Sequence, residues 1–167
     1  KGKTALVTGG SSGIGLAAAK MLVENGARII IAGRSEEKLA SAAAELGGDV
    51  VTVAADVTSL SDLAAMRTMI EGTIGSLDIV FANAGVAMGT PLATADEATY
   101  HRIMDANVKG VFFTVQAMLP LLRNGSSIIL NTSWLNQVGT PGRAILSASK
   151  AAVRSFARTM SAELLDR

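Results

Sequence analysis

A glycine-rich segment near the amino terminus contains the first residues whose types and spacing could do chemistry. Residues 8–15 read Thr-Gly-Gly-Ser-Ser-Gly-Ile-Gly, between a short apolar segment and an apolar helical pattern. Glycine lets another molecule approach the main chain, and a helix that begins there presents unpaired N–H groups and a positive dipole end. This arrangement predicts a phosphate-binding loop of a dinucleotide site, with a ligand-free tight turn as the alternative. The expected binding residues are Gly9, Ser11, Ser12, Gly13, Ile14 and Gly15.

Arg34 follows the second predicted strand, where the adenosine ribose of a dinucleotide would lie. An acidic residue there would accept hydrogen bonds from a free 2′-hydroxyl, but the chain has Gly33 and then Arg34. A guanidinium can bind a 2′-phosphate, and Ser11, Ser12 and Ser35 could add hydroxyl donors. This position favours NADP(H) over NAD(H), and a solvated arginine in a turn is the alternative.

Two further predicted strand ends also carry candidate binding residues. Asp56 could accept a hydrogen bond from an adenine amino group, with a second contact from the Val57 backbone, unless Asp56 caps the next helix. Asn83 could join neighbouring strands through its amide, while Ala84 and Gly85 keep the floor open beside a ribose. Because the carboxyl ends of parallel strands meet at one edge of a sheet, we expect these residues to lie close together.

Lys150 lies near the start of the last predicted helix, one turn after Leu146. Beside a nicotinamide ribose, its ammonium group could bind both hydroxyls and lower the pKa of a nearby acid. Ser133 lies just beyond the fifth predicted strand, at the same expected edge. A solvated lysine is the alternative for Lys150.

The elements that must position these residues alternate along the whole chain. Short apolar segments predict strands, and capped segments with helical periodicity predict the helices between them. The alternation predicts one α/β domain over residues 1–167, a doubly wound parallel sheet with helices on both faces. The predicted strands are 4–8, 28–32, 50–54, 78–82 and 127–131, and the predicted helices are 13–24, 35–46, 59–74, 95–122 with a kink near Pro120, and 143–165.

Composition argues against several classes of function. Of the 167 residues, 49% are hydrophobic, and the net charge of +1 with scattered lysine and arginine argues against binding nucleic acid. The lack of cysteine excludes disulfides and thiolate chemistry and fits a cytoplasmic location. A single histidine without a close carboxylate cluster argues against a metal site. The longest apolar run, residues 110–122, is too short to span a membrane, so no membrane partner is expected.

Together these motifs resemble those of the short-chain dehydrogenase/reductase family. Residues 8–15 match its Thr-Gly-x-x-x-Gly-x-Gly motif, and later motifs match at Asp56, residues 83–85, Asn107, Ser133 and residues 147–150. The resemblance implies a Rossmann-like fold, a NAD(H) or NADP(H) cofactor, and interconversion of small-molecule alcohols and carbonyls. It also implies a homodimer or homotetramer through helices 95–122 and 143–165. The C-terminal part of the family fold is absent from these residues, so we expect them to be a piece of a longer protein.

The resemblance assigns three of four residues of a catalytic tetrad. Asn107 would hold a water in a proton relay, Ser133 would hydrogen-bond the substrate oxygen, and Lys150 would bind the nicotinamide ribose and lower the pKa of a tyrosine. The tyrosine position is Leu146, which has no proton to give. General acid–base catalysis by a placed side chain contributes roughly 10²–10⁴ in rate.

No other tyrosine is expected to replace the missing one. Tyr100 lies seven residues before Asn107, about two helical turns away, and His101 is no better placed. Ser133 or a water on Lys150 could be a poorer proton source. Three hypotheses stay open: an NADP(H)-dependent oxidoreductase with an altered proton relay, an impaired NADP(H)-binding protein that senses the cofactor or supports a partner subunit, and a fragment without a competent site.

Overall fold

The structure is a computed structural model that describes residues 1–166. Its strands are β1 (Thr4–Thr8), β2 (Arg28–Gly33), β3 (Val50–Ala54), β4 (Leu77–Ala82) and β5 (Leu122–Leu130). They form one sheet in the order β3-β2-β1-β4-β5, and every neighbouring pair is parallel. The predicted parallel α/β sheet is therefore confirmed.

The helices that connect the strands begin close to the predicted residues. Ser35 and Ser59 each precede a helix, and each side-chain oxygen accepts a hydrogen bond from a backbone N–H of the first turn. Such caps satisfy donors that have no partner inside the helix. The helices are α1 (Gly13–Glu24), α2 (Glu36–Leu46), α3 (Leu60–Thr73), α4 (Glu97–Met104), α5 (Gly110–Met118) and α6 (Ala144–Glu163).

Alternate side chains of the central strands pack against helices on opposite faces of the sheet. Leu6 and Ile30 belong to a core that includes α3 and α5, while Val7 and Ile31 belong to a core that includes α1 and α2. All four side chains are fully buried, and burying a side chain of this size stabilises the fold by about 1.5–3 kcal/mol. The expectation of helices on both faces is confirmed.

The predicted helix over residues 95–122 is interrupted at two places. A π-helical turn, Asp105–Lys109, separates α4 from α5, and a 3-10 turn, Leu119–Leu121, follows α5. Pro120 lies inside that last turn and has no N–H to continue an α-helical ladder. The π-helical turn contains Asn107, whose side chain is described with the site below.

β5 begins at Leu122 instead of residue 127 as predicted. Leu122 is paired with Leu77, and the register between β4 and β5 then shifts before Ile79. Gly125 lies in the shifted stretch with a φ of 79°, which glycine adopts without steric cost. The sequence Arg-Asn-Gly at residues 123–125 is typical of a turn, yet the strand includes these residues.

Within residues 1–166, no helix is both long enough and apolar enough to cross a membrane.

Candidate functional site

A groove lies across the carboxyl ends of β1, β2, β3 and β4. The strand order reverses at β1, because β2 and β3 lie on one side of it and β4 and β5 on the other. Open α/β sheets bind ligands in the crevice that forms at such a point. Two adjoining compartments of about 420 and 390 Å³ occupy this edge.

The glycine-rich loop between β1 and α1 forms the wall that both compartments share. Gly9 has a φ of 64°, and a Cβ there would lie 3.0 Å from the Cα of Ala84. A Cβ on Gly15 would overlap the carbonyl oxygen of Gly9, so only glycine allows α1 to begin so close to β1. Ser12 precedes α1 without capping it through its side chain. The first N–H groups of the helix therefore remain available to a ligand.

The first compartment contains an unpaired arginine. Arg34 extends from the end of β2, and within residues 1–166 its side chain makes no hydrogen bond or ion pair. Lys38 and Arg102 line the same compartment and were not predicted as site residues. Lys38 lies in the first turn of α2, which follows Arg34 and Ser35 directly, so its closeness to Arg34 in the sequence could have indicated it. Arg102 comes from α4, and only the tertiary structure brings it near the end of β2.

Asp56 both lines the first compartment and stabilises a turn. Its Oδ1 accepts hydrogen bonds from the N–H and the hydroxyl of Thr58, each at 2.9 Å. Its backbone N–H donates to Asp62 Oδ2 at 2.9 Å, and this bond is the main reason that the pKa of Asp62 is lowered. Asp56 does not cap the next helix, because Ser59 is the N-cap of α3; Asp56 instead closes a turn with Thr58, and Val57 beside it also lines the compartment. The adenine contact of Asp56 stays a prediction.

Hydrogen bonds around Asn83 build the floor of the groove. Thr8 Oγ1 accepts from the backbone N–H groups of Asn83 and Ala84, at 3.0 and 3.1 Å. Asn83 Nδ2 donates to the Thr8 carbonyl at 3.0 Å, and Asn131 Nδ2 donates to Asn83 Oδ1 at 2.9 Å. Asn83 thus joins the ends of β1, β4 and β5, the structural role anticipated from the sequence. Ala84 and Gly85 line both compartments.

Asn107 is buried in the π-helical turn behind the groove, and it lines neither compartment. Its Oδ1 accepts from the Val86 N–H at 2.8 Å. Its Nδ2 donates to the Val86 carbonyl at 3.0 Å and to Ser149 Oγ at 3.1 Å. The amide therefore holds the loop after β4 against α6, and its part in a proton relay stays a prediction.

The second compartment brings together Ile14, Ser133, Leu146 and Lys150. Lys150 is half-buried, its Nζ donates to the Asn131 carbonyl at 2.8 Å, and burial lowers the pKa of its ammonium group. The solvated lysine that the sequence left open is not what the structure shows. Ser133 Oγ accepts from the Leu135 N–H at 3.2 Å, which leaves the hydroxyl proton free to donate.

Leu146 is only 6% exposed, one turn before Lys150 on α6. Tyr100 and His101 lie on α4, are exposed, and line neither compartment. Within residues 1–166, no three histidine or carboxylate side chains come together as a possible metal site. Leu146 therefore presents only carbon where the resemblance expects an acid.

The sequence comparisons identify one family along nearly the whole chain. A family model described as short chain dehydrogenase matches residues 3–167. An oxidoreductase from Sarocladium schorii is 44% identical over 167 residues, which covers 99% of this chain and 67% of that protein. An uncharacterized oxidoreductase from Staphylococcus aureus is 36% identical over 165 residues, which covers 97% of this chain and 71% of that protein.

Solved structures share the fold. A short-chain dehydrogenase/reductase from Brucella melitensis, described as a glucose/ribitol dehydrogenase, has a TM-score of 0.94 and 31% identity, covering 97% of this chain and 70% of its own. An alcohol dehydrogenase from Thermococcus sibiricus, complexed with 5-hydroxy-NADP, has a TM-score of 0.95 and 29% identity, covering 99% of this chain and 73% of its own. The glycine-rich loop, the strand order and these relatives agree, and the chain therefore belongs to the short chain dehydrogenase family of oxidoreductase enzymes.

Proposed function

We propose that this chain is an NADP(H)-dependent oxidoreductase that interconverts an alcohol and a carbonyl compound. The observation that carries the proposal is that the two compartments adjoin. They share the wall formed by Gly9, Ser12 and Ala84, with Arg34 at one end and Lys150 at the other. An extended ligand with phosphates in the middle and a reactive group at one end suits this arrangement.

The residues present fit a phosphorylated dinucleotide. The uncapped start of α1 and the glycine-rich loop suit the central phosphates, because both offer backbone N–H groups. The unpaired guanidinium of Arg34 suits a 2′-phosphate, and Ser11, Ser12 and Lys38 line the same compartment. The relative from T. sibiricus was solved with an NADP derivative, which supports the same preference by analogy.

The reactive end of the groove fits alcohol and carbonyl chemistry, but without the tyrosine of the family's tetrad. Bound NADPH would supply the hydride. Ser133 and Lys150 line this end; Ser133 would donate its hydroxyl proton in a hydrogen bond to a substrate oxygen, and Lys150 would bind the nicotinamide ribose. Val86, Ala87 and Leu146 make much of the remaining wall apolar, which suits a small uncharged substrate.

Leu146 supports a second candidate function. A chain that keeps the cofactor groove but has carbon at the acid position could bind NADP(H) without turnover, as a sensor or as a partner of an active subunit. The two candidates share every cofactor residue and differ only in chemistry. A test must therefore measure binding and turnover separately.

Cofactor binding is tested by titrating NADPH and NADH while Trp134 fluorescence is recorded. Loss of a charge-assisted contact costs about 1.5–3 kcal/mol, so Arg34→Ala should weaken NADPH binding roughly ten- to a hundredfold and leave NADH nearly unchanged. Arg158→Ala, an exposed change on α6, is the matched control and should alter neither affinity. Tighter binding of NADH than NADPH by the unchanged chain would overturn the NADP(H) preference.

Turnover is tested with a panel of small ketones and aldehydes. Leu146→Tyr restores a phenol and should raise kcat by about 10²–10⁴. Leu146→Phe supplies the ring without the hydroxyl and should bring no such gain. Measurable turnover by the unchanged chain supports the enzyme, whereas NADPH binding with turnover only after Leu146→Tyr supports the non-catalytic binding protein.

We also propose that the chain forms a homodimer or homotetramer through the two long helical segments, residues 95–122 and 143–165. The rings of Phe112 on α5 and Phe156 on α6 pack at 5.4 Å between centroids, which joins the two segments into one surface. Light scattering after size exclusion measures the mass. A monomer at micromolar concentration would contradict this assembly.

A further inference from the structure

The second compartment has one titratable side chain among the described residues that line it, and that side chain is Lys150. Reduction of a carbonyl needs a proton for the oxygen as well as a hydride for the carbon. Leu146 contributes only carbon atoms. Ser133 contributes a neutral hydroxyl, which is a far weaker acid than an ammonium group. The compartment itself therefore offers a single group that readily releases a proton.

The structure holds Lys150 in place for this task. Its Nζ donates to the Asn131 carbonyl at 2.8 Å, and its own carbonyl accepts from Thr132 Oγ1 at 3.0 Å. The Asn131 side chain is itself bonded to Asn83 on the groove floor. An ammonium group has three N–H donors, so the bond to Asn131 leaves two for a ligand. One of them could bind a ribose hydroxyl and the other a substrate oxygen.

The surrounding charges favour a negative oxygen beside Lys150. No charged residue occurs in the two loops that line this compartment, residues 83–95 and 131–142. On α6, Arg154 lies one turn after Lys150 and donates to Asn136 Oδ1 at 3.1 Å. Arg143 is the N-cap residue that precedes α6. From α4 and the π-helical turn, Arg102 and Asp105 line the first compartment instead. No carboxylate among the lining residues neutralises Lys150, so its charge can stabilise the oxygen that becomes negative during reduction.

We propose that Lys150 is itself the proton donor of this enzyme, replacing the phenol that Leu146 removes. The proposal rests on the proposed function above. The carbonyl carbon receives the hydride supplied by NADPH, and the carbon–oxygen π electrons move to the oxygen. That oxygen forms an O–H bond as an N–H bond of the Lys150 ammonium breaks. The neutral amine then takes a proton from water, and in alcohol oxidation the amine accepts the proton instead.

Burial supports this role, because a pKa lowered toward the working pH improves an ammonium group as an acid. The protonated form is required for reduction. The rate of reduction should therefore fall as the pH rises through the lowered pKa of Lys150, and the rate of oxidation should rise over the same interval.

Lys150→Arg is the decisive substitution, since arginine keeps the positive charge but does not release its proton in the accessible pH range. In the full chain, we expect NADPH affinity within about threefold of the original and turnover reduced by at least 10². The double variant Leu146→Tyr with Lys150→Arg should regain at least tenfold, because the phenol supplies the proton. If the double variant stays as inactive as Lys150→Arg alone, Lys150 serves only to position the cofactor and the proposal is wrong.

A second readout does not depend on turnover. The Cε resonances of ¹³C-lysine, followed by NMR across the pH range in the ligand-free chain, should contain one signal that titrates below the ordinary lysine pKa and disappears in Lys150→Arg. The pH profile of reduction should have its upper limb at that same pKa. A profile that does not follow the Lys150 titration contradicts the proposal. Loss of NADPH binding by the unchanged chain would instead contradict the proposed function, and the fluorescence titration separates these two failures.

Discussion

The hydroxyl of Thr8 holds the floor of the groove. Its Oγ1 accepts two backbone N–H groups, those of Asn83 and Ala84, at the point where β4 ends. Both N–H groups lie at the junction of β1 and β4, where no strand partner satisfies them. The side chain is 1% exposed, so water cannot easily replace it.

Thr8→Val should therefore lower the free energy of unfolding by about 2–4 kcal/mol, because each buried unsatisfied donor costs about 1–3 kcal/mol. Thr8→Ser keeps the hydroxyl and is the matched control, with an expected loss below about 1 kcal/mol. Urea denaturation measures both variants. Equal stabilities for Val and Ser at this position would show that the hydroxyl does not hold the floor.

At the scale of elements, the π-helical turn of Asp105–Lys109 connects two parts of the groove. Its backbone is bonded with π spacing, as from the Gly110 N–H to the Asp105 carbonyl, and the side-chain amide of Asn107 bonds to Val86 and Ser149. Single π turns inside α-helices often lie at functional sites. In this chain the turn links the loop after β4, which lines both compartments, with α6, which carries Lys150.

Asn107→Ala should leave the N–H and carbonyl of Val86 without their partner and lower the free energy of unfolding by about 2–3 kcal/mol. The amide of Val86 should also exchange with solvent faster, as measured by hydrogen exchange and NMR. Asn124→Ala, an exposed change in β5, should alter neither quantity. Unchanged exchange at Val86 in Asn107→Ala would mean that the loop is held by other contacts.

At the scale of the molecule, Asp78 links three strands at the edge of the sheet opposite the groove. Its carboxylate accepts from Lys3 Nζ at 2.9 Å and from the Thr4 N–H at 2.9 Å, and Arg123 lies 3.6 Å away. These contacts bring together the amino ends of β1, β4 and β5. The Lys3 bond first, and then the Thr4 N–H, lower the pKa of Asp78 to about 2.

This shift makes stability depend on pH in a defined window. Because the folded pKa of Asp78 lies below its unfolded value of 3.8, the added stability is present above pH 3.8 and is lost as the pH falls toward 2. Asp78→Asn should lose about 1–3 kcal/mol at pH 7 and flatten the stability curve in that window. Asp49→Asn removes an exposed ion pair with Arg28 and should cost less than about 1 kcal/mol. Chemical denaturation at several pH values measures both, and a slope unchanged in Asp78→Asn would contradict the assignment.

Much of the fold was predictable from local sequence. Short apolar strands, capped helices and the glycine-rich loop each have a local physical cause, so β1 to β4 and α1 to α3 fall within one residue of their predicted bounds. The errors lie in residues 95–131. There the π-helical turn contains Asn107, which bonds to the distant Val86, and β5 begins early because Leu122 pairs with Leu77 of β4, ahead of the register shift that takes in Arg-Asn-Gly. Long-range contacts overrode the local pattern in both cases.

By itself, the sequence determined the parallel α/β sheet, the cofactor motif, the family and the leucine at the acid position, because each depends on residue types at short spacing. Tertiary structure decided what the surviving residues can do. It added Lys38 and Arg102 to the compartment of Arg34, and it took Asn107 out of the groove lining. It also half-buried Lys150 against Asn131, a contact between α6 and the end of β5 that no local spacing contains, and it made Lys150 the one titratable side chain among the described residues that line the second compartment.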